Sequence, residues 1–550
     1  MIAFLSNTNI EPIKGFFKEE TYFAGFNQYA FELIEEKSML HSKKITTVIL
    51  FIDGEEFLKD IIGEQMPTAQ LLEKANGRMV ELLEMIKQYI TKKGNVCFFI
   101  NNIVLPVHSI TPNLKNREID LFDIEIAMNK KLEEFVKRIH DLLILDWRMI
   151  VKNMGYNNLH DDKFWYLGRI KLNNKAFSAI AENYQNLLNA YQGKTKKVLV
   201  LDLDNTLWGG IIGEDGPNGI QLSEDGQGKI YREFQAVIKT LKQIGVLLCI
   251  NSKNNESDVE PVLSRHPMMI LKSDDFVVKK INWNDKVKNM EEIARELNLG
   301  LDSFVFIDDN AVERENVEKN LPSVTIPEFP KDVSTLKRWF FESVVYKYFG
   351  KIYLGDEDLN KTDQYKIKLK RDSLSTGLSM NKFIKGLEIK LKVYINPTEY
   401  IQRIAQLTQK TNQFNFTSKR YSEAQIKKFI EDDSMQVFGL DYEDKFGREG
   451  LIGVAILKIN RSKGEAKLDT FLLSCRTIGK NVEYAFMVKI LEKAQEYNLL
   501  KIKIEFEGTG KNEVARTFYG QLKGKDEWKD IKALLIKSLK KTKINQIDIL

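Results

Sequence analysis

The chain has 550 residues, of which 43% are hydrophobic and 29% are charged, so we expect a globular protein of about three or four domains. Its 82 basic and 77 acidic residues leave a net charge of +5, and this near balance gives no general argument for a nucleic-acid partner. Three scattered cysteines exclude a disulfide framework, and no apolar run approaches the roughly 18 residues that a membrane helix needs. Because the first residues also lack a signal-peptide pattern, we expect a cytoplasmic protein with no membrane partner.

Residues 1–193 alternate short apolar runs with longer amphipathic stretches, which is typical of a doubly wound α/β domain. The runs that predict strands are Ile2–Leu5, Thr47–Ile52, Val96–Ile100 and Leu142–Leu145. The stretches that most clearly predict helices are Ala69–Ile90 and Ile124–His140.

Two polar positions in this first domain loosely resemble the block order of SGNH esterases. Ser6 follows the first predicted strand, and His160 precedes Asp161 and Asp162 near the end of the domain. The resemblance implies an SGNH-like fold and a Ser-His-Asp hydrolytic site. The simpler interpretation is structural, because Ser6 lies in a Ser-Asn-Thr-Asn turn and no local signature surrounds His160.

The stretch Val198–Gly216, VLVLDLDNTLWGGIIGEDG, is the most informative in the chain. Its first four residues predict a strand buried on both faces, at the centre of a parallel sheet. Asp202 and Asp204 leave the carboxyl end of that strand, where such sheets bind ligands. Carboxylates are costly to desolvate unless a cation meets them, so we expect Mg²⁺ there. The alternative is an Asp-rich turn that only caps a helix.

Later segments place further polar groups at strand and helix ends. Ser252 follows the predicted strand after the first, and Asp308 and Asp309 follow a third predicted strand. Lys286 begins an amphipathic helix that leads into that third strand, so it is suited to hold a phosphoryl oxygen. The alternatives for this role are Lys279 and Lys280.

The pattern Asp202-x-Asp204-x-Thr206 and the order of the later segments resemble the haloacid dehalogenase (HAD) superfamily of phosphotransferases. The resemblance implies that residues 194–345 form a HAD Rossmann-like parallel sheet. It implies that Asp202 becomes an aspartyl phosphate, that Asp204 acts as general acid and base, and that Thr206 fixes the turn. The implied phosphate-binding residues are Thr206, Ser252 and Lys286. The implied magnesium-binding residues are Asp202, Asp204 (through a nearby backbone carbonyl), Asp308 and, as its alternate, Asp309.

The run DLDNTLWGGIIGEDG, preceded by a DxxxWYLxR-like stretch at 161–169, resembles the FkbH family more closely. That resemblance implies a small phosphorylated three-carbon acid as donor, typically 1,3-bisphosphoglycerate. It implies that phosphate is removed and a glyceryl group is loaded onto the phosphopantetheine arm of an acyl carrier protein in polyketide or nonribosomal peptide biosynthesis. Trp208–Gly216 would form a flap beside the nucleophile. The alternatives are a stand-alone phosphatase of a small metabolite and a carrier-docking protein.

Residues 346–375 are polar and predict a connector, after which residues 376–550 form a further domain. Strands are predicted at Gly453–Ile459, Leu468–Leu473 and Lys501–Phe506. A strand that leads into Arg476-x-x-Gly479 at a helix start resembles the acyl-CoA-binding turn of GNAT acetyltransferases. The resemblance implies a GNAT-like α+β domain in which Arg476 and Gly479 bind a pantetheine phosphate, with Asn512 as a further binding residue.

Two more features of this last domain carry hypotheses. Residues 410–415, KTNQFN, are similar to a segment of FkbH-like proteins, which implies a substrate-binding or carrier-binding loop; otherwise they form a strand or turn. Cys475 follows a predicted strand, next to Arg476 and a helix start, and both features lower the pKa of a thiol. We expect Cys475 to hold the glyceryl group as a thioester, the alternative being a small buried side chain like Cys97 and Cys249.

Overall fold

The computed structural model describes residues 1–62, 68–94, 96–106, 119–373, 380–474, 477–478, 480–510, 512–522, 527–545 and 548–549. The chain divides into two compact units, Met1–Leu188 and Asn189–Leu550. The predicted active-site residues Cys475, Arg476 and Gly479 lie outside the described residues. In the described part of the chain, no helix is long and apolar enough to cross a membrane.

The first unit contains a parallel sheet with helices between its strands. The strands are β1 (Ile2–Ser6), β2 (Thr21–Phe23), β3 (Thr47–Phe51), β4 (Cys97–Asn101) and β5 (Leu142–Leu145). The helices are α1 (Tyr29–Ile34), α2 (Met39–Ser42), α3 (Gly54–Ile62), α4 (Ala69–Lys93), α5 (Leu121–Val136), α6 (Trp147–Met154), α7 (Asp162–Gly168) and α8 (Asn174–Tyr191). The strand order β2-β1-β3-β4-β5, with every pair parallel, is a doubly wound order, which confirms the predicted fold class.

The second unit begins with another parallel sheet. Its strands are β6 (Val198–Leu201), β7 (Leu247–Ser252), β8 (Phe276–Ile281) and β9 (Phe304–Ile307), in the order β8-β7-β6-β9. Its helices are α9 (Ile212–Asp215), α10 (Gly226–Gln243), α11 (Glu256–Arg265), α12 (Lys286–Leu297), α13 (Ala311–Asn320), α14 (Leu336–Trp339), a π-helical turn (Phe340–Val345) and α15 (Tyr346–Tyr348). Strand β6 is buried on both faces: Leu199 and Leu201 join one hydrophobic core, and Val198 and Val200 join the other.

A mixed sheet follows in the same unit. Its strands are β10 (Lys390–Ile395), β11 (Met435–Asp444), β12 (Gly447–Asn460), β13 (Glu465–Leu473), β14 (Lys501–Ile504), β15 (Trp528–Asp530) and β16 (Asp548–Ile549). The helices are α16 (Asp356–Leu359), α17 (Lys361–Ser373), α18 (Met380–Leu387), α19 (Ile401–Lys410), α20 (Glu423–Glu431), α21 (Val482–Glu496), α22 (Glu513–Leu522) and α23 (Ile531–Asn545). The order is β15-β14-β13-β12-β11-β10-β16, in which β13 and β14 are parallel and β10 to β13 are antiparallel. This is the α+β arrangement predicted for the C-terminal region.

The segments predicted as separate domains at 194–345 and 376–550 belong to the same compact unit. The predicted connector contains α16 and most of α17. Short 3-10 turns complete the chain at Glu11–Phe16, Tyr156–Asn158, Ser273–Asp275, Leu301–Ser303, Val333–Thr335 and Thr398–Tyr400.

Strands β13 and β14 pair over a short length and then diverge. Beyond their pairing, residues 414–417 (the inserted segment) lie between them. Leu473 N donates to Phe414 O at 3.0 Å, Phe416 N donates to Phe471 O at 3.1 Å, and Glu507 N donates to Phe416 O at 2.7 Å. The phenyl rings of the segment are buried in the core. The second half of the KTNQFN sequence is therefore part of the fold, as a strand-like insertion.

Candidate active site

An acidic cluster forms at the carboxyl edge of the second unit's parallel sheet. Asp202 directly follows β6 and Asp308 directly follows β9, and these two strands are parallel neighbours. Asp202 N donates to Ile307 O at 3.0 Å, which continues the strand pairing and fixes the two carboxylates at the same level. Oxygen atoms of Asp202, Asp308 and Asp309 lie within 4.8 Å of one another. We call these three residues the acidic cluster.

Lys286, the first residue of α12, forms ion pairs with the acidic cluster. Its Nζ lies 2.6 Å from Asp308 Oδ2 and 3.0 Å from Asp202 Oδ1, and its side chain is buried. Burial alone would lower the pKa of Lys286, but the charges of Asp202 and Asp308 outweigh it and raise that pKa above its usual value.

One lysine does not balance three carboxylates, of which Asp202 and Asp308 are buried and Asp309 is half-buried. Burial is the largest cause that raises the pKa of Asp202 and of Asp308, and the charge of Lys286 opposes it. Burial, followed by the charge of Asp202, raises the pKa of Asp309 to about 6. The site therefore lacks positive charge, which a divalent cation would supply.

The donor set of the acidic cluster fits a magnesium ion. Asp202 Oδ1 is buried, and it accepts no hydrogen bond from the described residues, because Lys286 approaches it outside hydrogen-bonding geometry. Carboxylate oxygens are the ligands that Mg²⁺ takes in proteins. Asp202, Asp308 and Asp309 are thus the residues that could hold the metal ion.

Two predicted phosphate-binding hydroxyls lie beside the cluster. Ser252 is buried at the end of β7, and its Oγ accepts a hydrogen bond from Asn254 Nδ2 at 3.1 Å. Thr206 is fully buried, and its Oγ1 accepts a hydrogen bond from Asp309 N at 3.2 Å. Thr206 therefore links the first motif to the turn after β9, and this hydrogen bond stabilises both.

The Asp204 carboxylate is not part of the acidic cluster. It accepts hydrogen bonds from Trp208 Nε1 at 2.9 Å, from Ile212 N at 3.0 Å and from Asn254 Nδ2 at 3.0 Å. The structure therefore does not bring this side chain into the metal-binding group, although Asp204 lies only two residues after Asp202. Its three donors fix the carboxylate in one orientation, as an acid–base residue requires.

The predicted flap after Asp204 is a tight turn held by its own polar groups. Gly210 has a φ of +91°, and a Cβ at this position would approach Asp215 Oδ2 to 2.4 Å. Gly210 N donates to Asn205 Oδ1 at 2.9 Å, and Ile211 N donates to Asp215 Oδ2 at 2.8 Å. Glycine is required at residue 210 because a side chain would break this turn.

Sequence reasoning missed two residues that hold the site together. Asn254 links Asp204 to Ser252, whose Oγ lies 3.1 Å from the Asn254 amide. Arg314 is buried, and its Nη1 donates to the backbone oxygens of Asp308 at 2.8 Å and Asp309 at 2.7 Å. The only signal for Asn254 was its position two residues after Ser252. Arg314 looked like an ordinary residue of a polar helix.

The two alternative lysines have other partners. Lys279 Nζ pairs with Glu260 at 2.8 Å. Lys280 pairs with Glu292 and with Glu296, each at 2.8 Å. Among the three candidates, Lys286 is the one that the structure places against the acidic cluster.

Asn512, predicted to bind a phosphate, is fully buried and hydrogen-bonded to the backbone. Its Nδ2 donates to Asn415 O and to Glu507 O, each at 2.9 Å, and its Oδ1 accepts from Thr509 N at 2.7 Å. These bonds hold the inserted segment against the chain that follows β14.

In the first unit, Ser6 and His160 have separate surroundings. Ser6 Oγ lies 3.2 Å from Thr8 Oγ1 and accepts from Thr8 N at 3.1 Å. His160 Nδ1 lies 2.7 Å from Tyr156 O, and its ring stacks on Tyr156. No hydrogen bond among the described residues joins Ser6 to His160, so the structure supports their interpretation as turn and packing residues.

Comparison with solved structures finds a similar protein that contains a phosphatase domain. It is the crystal structure of the N-terminal part of the protein BF1531 from Bacteroides fragilis, complexed with Mg. The two chains are 28% identical, and the match covers 64% of this chain and 94% of that chain, with a TM-score of 0.57. No protein-family model and no curated protein matches the chain.

Smaller matches involve N-acetyltransferases. The ribosomal-protein-S18-alanine N-acetyltransferase from Escherichia coli is 14% identical, with 24% of this chain and 76% of that chain covered and a TM-score of 0.19. A ribosomal-protein-alanine N-acetyltransferase from Brucella melitensis biovar Abortus 2308 is 15% identical, with 26% and 96% covered and a TM-score of 0.20.

The acidic cluster and the match to the Bacteroides fragilis protein agree. The chain contains a phosphatase-like domain with a magnesium-type site of carboxylate oxygens. The predictions of an α/β fold class and of an acidic metal site at the end of β6 are confirmed.

Proposed function

We propose that the protein is a Mg²⁺-dependent phosphatase in which Asp202 receives the phosphoryl group. The observation that carries this proposal is the acidic cluster, whose carboxylate oxygens lie within 4.8 Å of one another. Lys286 forms ion pairs with two of these carboxylates, Asp202 and Asp308. Asp202, Asp308 and Asp309 would hold Mg²⁺, and the similar Bacteroides fragilis protein was determined in a complex with Mg. When bound, the ion neutralises charge on the phosphoryl oxygens.

The chain's own residues account for the chemical steps. The Asp202 carboxylate attacks phosphorus and the bond to the leaving oxygen breaks, while Asp204 donates a proton to that oxygen. Asp204 then takes a proton from water, which attacks the aspartyl phosphate, releases inorganic phosphate and restores Asp202. Ser252 and Lys286 bind the outer phosphoryl oxygens throughout.

Phosphate release from 3-phosphoglycerate and from an aryl phosphate tests this mechanism. We expect activity with Mg²⁺, none after chelation, and a loss of at least about a thousandfold in Asp202→Asn. Asp274→Asn is the matched control, because Asp274 is fully exposed and lies outside the site. Wild-type turnover by Asp202→Asn would rule out Asp202 as the nucleophile.

We further propose that phosphate removal serves the transfer of a glyceryl group to an acyl carrier protein. Support comes from the FkbH-like sequence WGGIIGEDG beside Asp204 and from the FkbH-like KTNQFN segment. In sequence, Cys475 lies two residues after the end of β13.

The chemistry of 1,3-bisphosphoglycerate indicates which of its two phosphate groups reacts at Cys475 and which reacts at Asp202. Its acyl phosphate is already activated, so the Cys475 thiolate can attack the C1 carbonyl and expel phosphate, which gives a thioester. The pantetheine thiolate then takes the acyl group and releases the Cys475 thiolate. The remaining phosphate at carbon 3 is an unactivated monoester, and its removal is the step for which Asp202 is needed.

Intact-protein mass spectrometry tests the transfer. The protein is incubated with 1,3-bisphosphoglycerate, Mg²⁺ and a holo carrier protein, and both proteins are weighed. We expect an acyl adduct that moves to the carrier, that is absent in Cys475→Ala, and that keeps its phosphate in Asp202→Asn.

The two alternatives give different results in the same experiment. Phosphate release without an adduct on either protein would leave a stand-alone phosphatase. Carrier binding without turnover, unchanged by Asp202→Asn, would leave a docking protein.

A further inference from the structure

A cavity of about 680 Å³ lies in the second unit, away from the acidic cluster. Lys197 and the residues 299–303, which directly precede β6 and β9, form one wall. Asp202 and Asp308 follow the same strands, so the cavity lies at the opposite edge of the parallel sheet. At roughly 3.3 Å per residue, Lys197 and Asp202 are about 16 Å apart along the chain. We call this space the basic cavity.

Cationic side chains outnumber carboxylates in the lining of the basic cavity. The cationic residues are Lys197, Lys361, Arg403 and Lys410, and the carboxylates are Asp302 and Asp358. Lys410 Nζ lies 3.3 Å from Asp358, which also pairs with Lys351 at 2.7 Å. Asp358 is thus the ion-pair partner of two lysines, Lys351 and Lys410. Among the described residues, none forms an ion pair or hydrogen bond with the Lys361 ammonium group.

The lysines of the cavity are poorly compensated. Burial, followed by the charges of Lys351 and Lys197, lowers the pKa of Lys361 to about 7. Burial also lowers the pKa of Lys410 to about 8, although Asp358 opposes the shift. The Lys410 side chain is 41% exposed and Lys361 is half-buried, so an entering ligand can reach both side chains.

Part of the remaining wall is apolar, next to polar residues such as Gln364, Asn412 and Gln413. Leu299 and Leu301 contribute from the side of the parallel sheet, and Leu407, Phe414 and Leu473 contribute from the side of the mixed sheet. Phe414 belongs to the inserted segment, and Lys410 begins the KTNQFN sequence. A cavity with several cations, hydrophobic walls and this volume is larger than an inorganic anion needs and suits an anion attached to a carbon skeleton.

We propose that the basic cavity binds an organic phosphate monoester, with its phosphate against Lys361 and Lys410 and its carbon chain against Leu407, Phe414 and Leu473. A dianion matches an excess of cations better than a single carboxylate does. A free phosphorylated metabolite and a phosphopantetheine arm both carry this chemistry. The site is separate from Asp202, so it stands or falls independently of the proposed phosphatase.

Calorimetric titration of the full-length protein tests the proposal. The solution contains EDTA so that the acidic cluster stays without metal, and the probes are 3-phosphoglycerate, 4′-phosphopantetheine and inorganic phosphate. We expect at least one organic probe to bind at least tenfold more tightly than inorganic phosphate. Lys361→Gln and Lys410→Gln should each weaken that binding by tenfold or more. Lys337→Gln, a change at an exposed lysine paired with Glu233, should leave it unchanged.

The results separate the possible sources of the phosphate. Binding of 3-phosphoglycerate alone indicates a free metabolite, and binding of phosphopantetheine alone indicates a carrier arm. Binding that Asp202→Asn abolishes, and Lys361→Gln does not, would assign the ligand to the acidic cluster and overturn the proposal. No binding, or equal binding of inorganic phosphate, would also overturn it.

Proton uptake provides a second readout. The charged groups around Lys361 are Lys197, Lys351, Asp358, Lys410 and Arg403. The negative charge of a bound phosphate raises the pKa of Lys361, so that the ammonium group takes up a proton on binding. At pH 8, titrations in two buffers of different ionisation enthalpy should show net proton uptake on binding, and Lys361→Gln should reduce it. Affinity should fall as pH rises from about 6 to about 9. Affinity that stays constant over this range, without proton uptake, would contradict the assignment of the phosphate to these lysines.

Discussion

Asn254 donates a hydrogen bond of 3.0 Å to Asp204, which lies fifty residues earlier in the chain. The same amide lies 3.1 Å from Ser252 Oγ, at the end of β7. One amide therefore connects the residue proposed as acid and base to a residue proposed to bind the phosphoryl group. The loop after β7 thus helps to fix the Asp204 carboxylate of the first motif.

Asn254→Ala should lower kcat for phosphate release by about 10- to 100-fold, because Asp204 loses one of the donors that orient it. KM should change less than threefold, because Ser252 and Lys286 remain. The pH profile of kcat should shift as well. The control is Asn320→Ala, at an exposed asparagine at the end of α13. An unchanged kcat and pH profile in Asn254→Ala would mean that Trp208 and Ile212 suffice to hold Asp204.

Lys286→Met should destabilise the protein by about 3–5 kcal/mol in EDTA, because it leaves the buried carboxylates of the acidic cluster without their cation. Saturating Mg²⁺ should restore part of this loss, since a ligand at 100 times its Kd adds about 2.7 kcal/mol. Urea unfolding with and without Mg²⁺ measures both quantities. Lys279→Met, which breaks a partly exposed pair, should cost about 1 kcal/mol or less and respond no differently to Mg²⁺.

Arg371 offers a test of buried charge in the second unit. Its side chain is 1% exposed, its Nη2 donates to Asp444 Oδ1 at 2.9 Å, and it also pairs with Glu449. Arg371→Met should lower the free energy of unfolding by about 3–5 kcal/mol, because the buried carboxylates of Asp444 and Glu449 lose the positive charge of Arg371.

The matched surface pair for this comparison is Arg78 with Asp60, whose side chains are 31% and 62% exposed. Arg78→Met should cost about 1 kcal/mol or less, measured by the same denaturant unfolding. Equal losses of unfolding free energy in Arg371→Met and Arg78→Met would show that Arg371 and its carboxylate partners are accessible to water in solution.

Lys361→Gln should stabilise the protein, and more so at pH 6 than at pH 9. The pKa of Lys361 is lowered to about 7, so between about pH 7 and 10 the unfolded chain holds a proton that the folded chain lacks. The stability of the wild type therefore rises with pH through that range, and below it the folded protein bears the full cost of the buried charge. We expect a gain of about 1–4 kcal/mol at pH 6 in buffer without phosphate. If Lys361→Gln instead lowered the free energy of unfolding at pH 6, the result would contradict the excess of positive charge around Lys361. Lys337→Gln serves as the control.

The residues of the acidic cluster could be predicted because their signal is local. A run such as VLVL followed by Asp202 indicates a buried strand and a polar group at its carboxyl end, and parallel pairing brings Asp308 to the same edge. Arg314 could not be predicted in this way, since its role depends on the backbone of a turn that folds back onto it. The place of Phe414 also escaped prediction, because it depends on the gap between β13 and β14, and these strands lie more than fifty residues further along the chain.

The walls of the basic cavity have a consequence for the history of this protein. Leu301 lines the cavity beside the parallel sheet, and Leu407 and Leu473 line it beside the mixed sheet. Leu299 belongs to the hydrophobic core of the parallel sheet, and Leu301 is only partly buried against that core. A gene that lost its C-terminal segment would therefore open the wall around Leu301 to water and leave Leu299 packed. Relatives that end before the mixed sheet should carry a polar residue at position 301, and relatives that keep both segments should retain leucine or a similar side chain there.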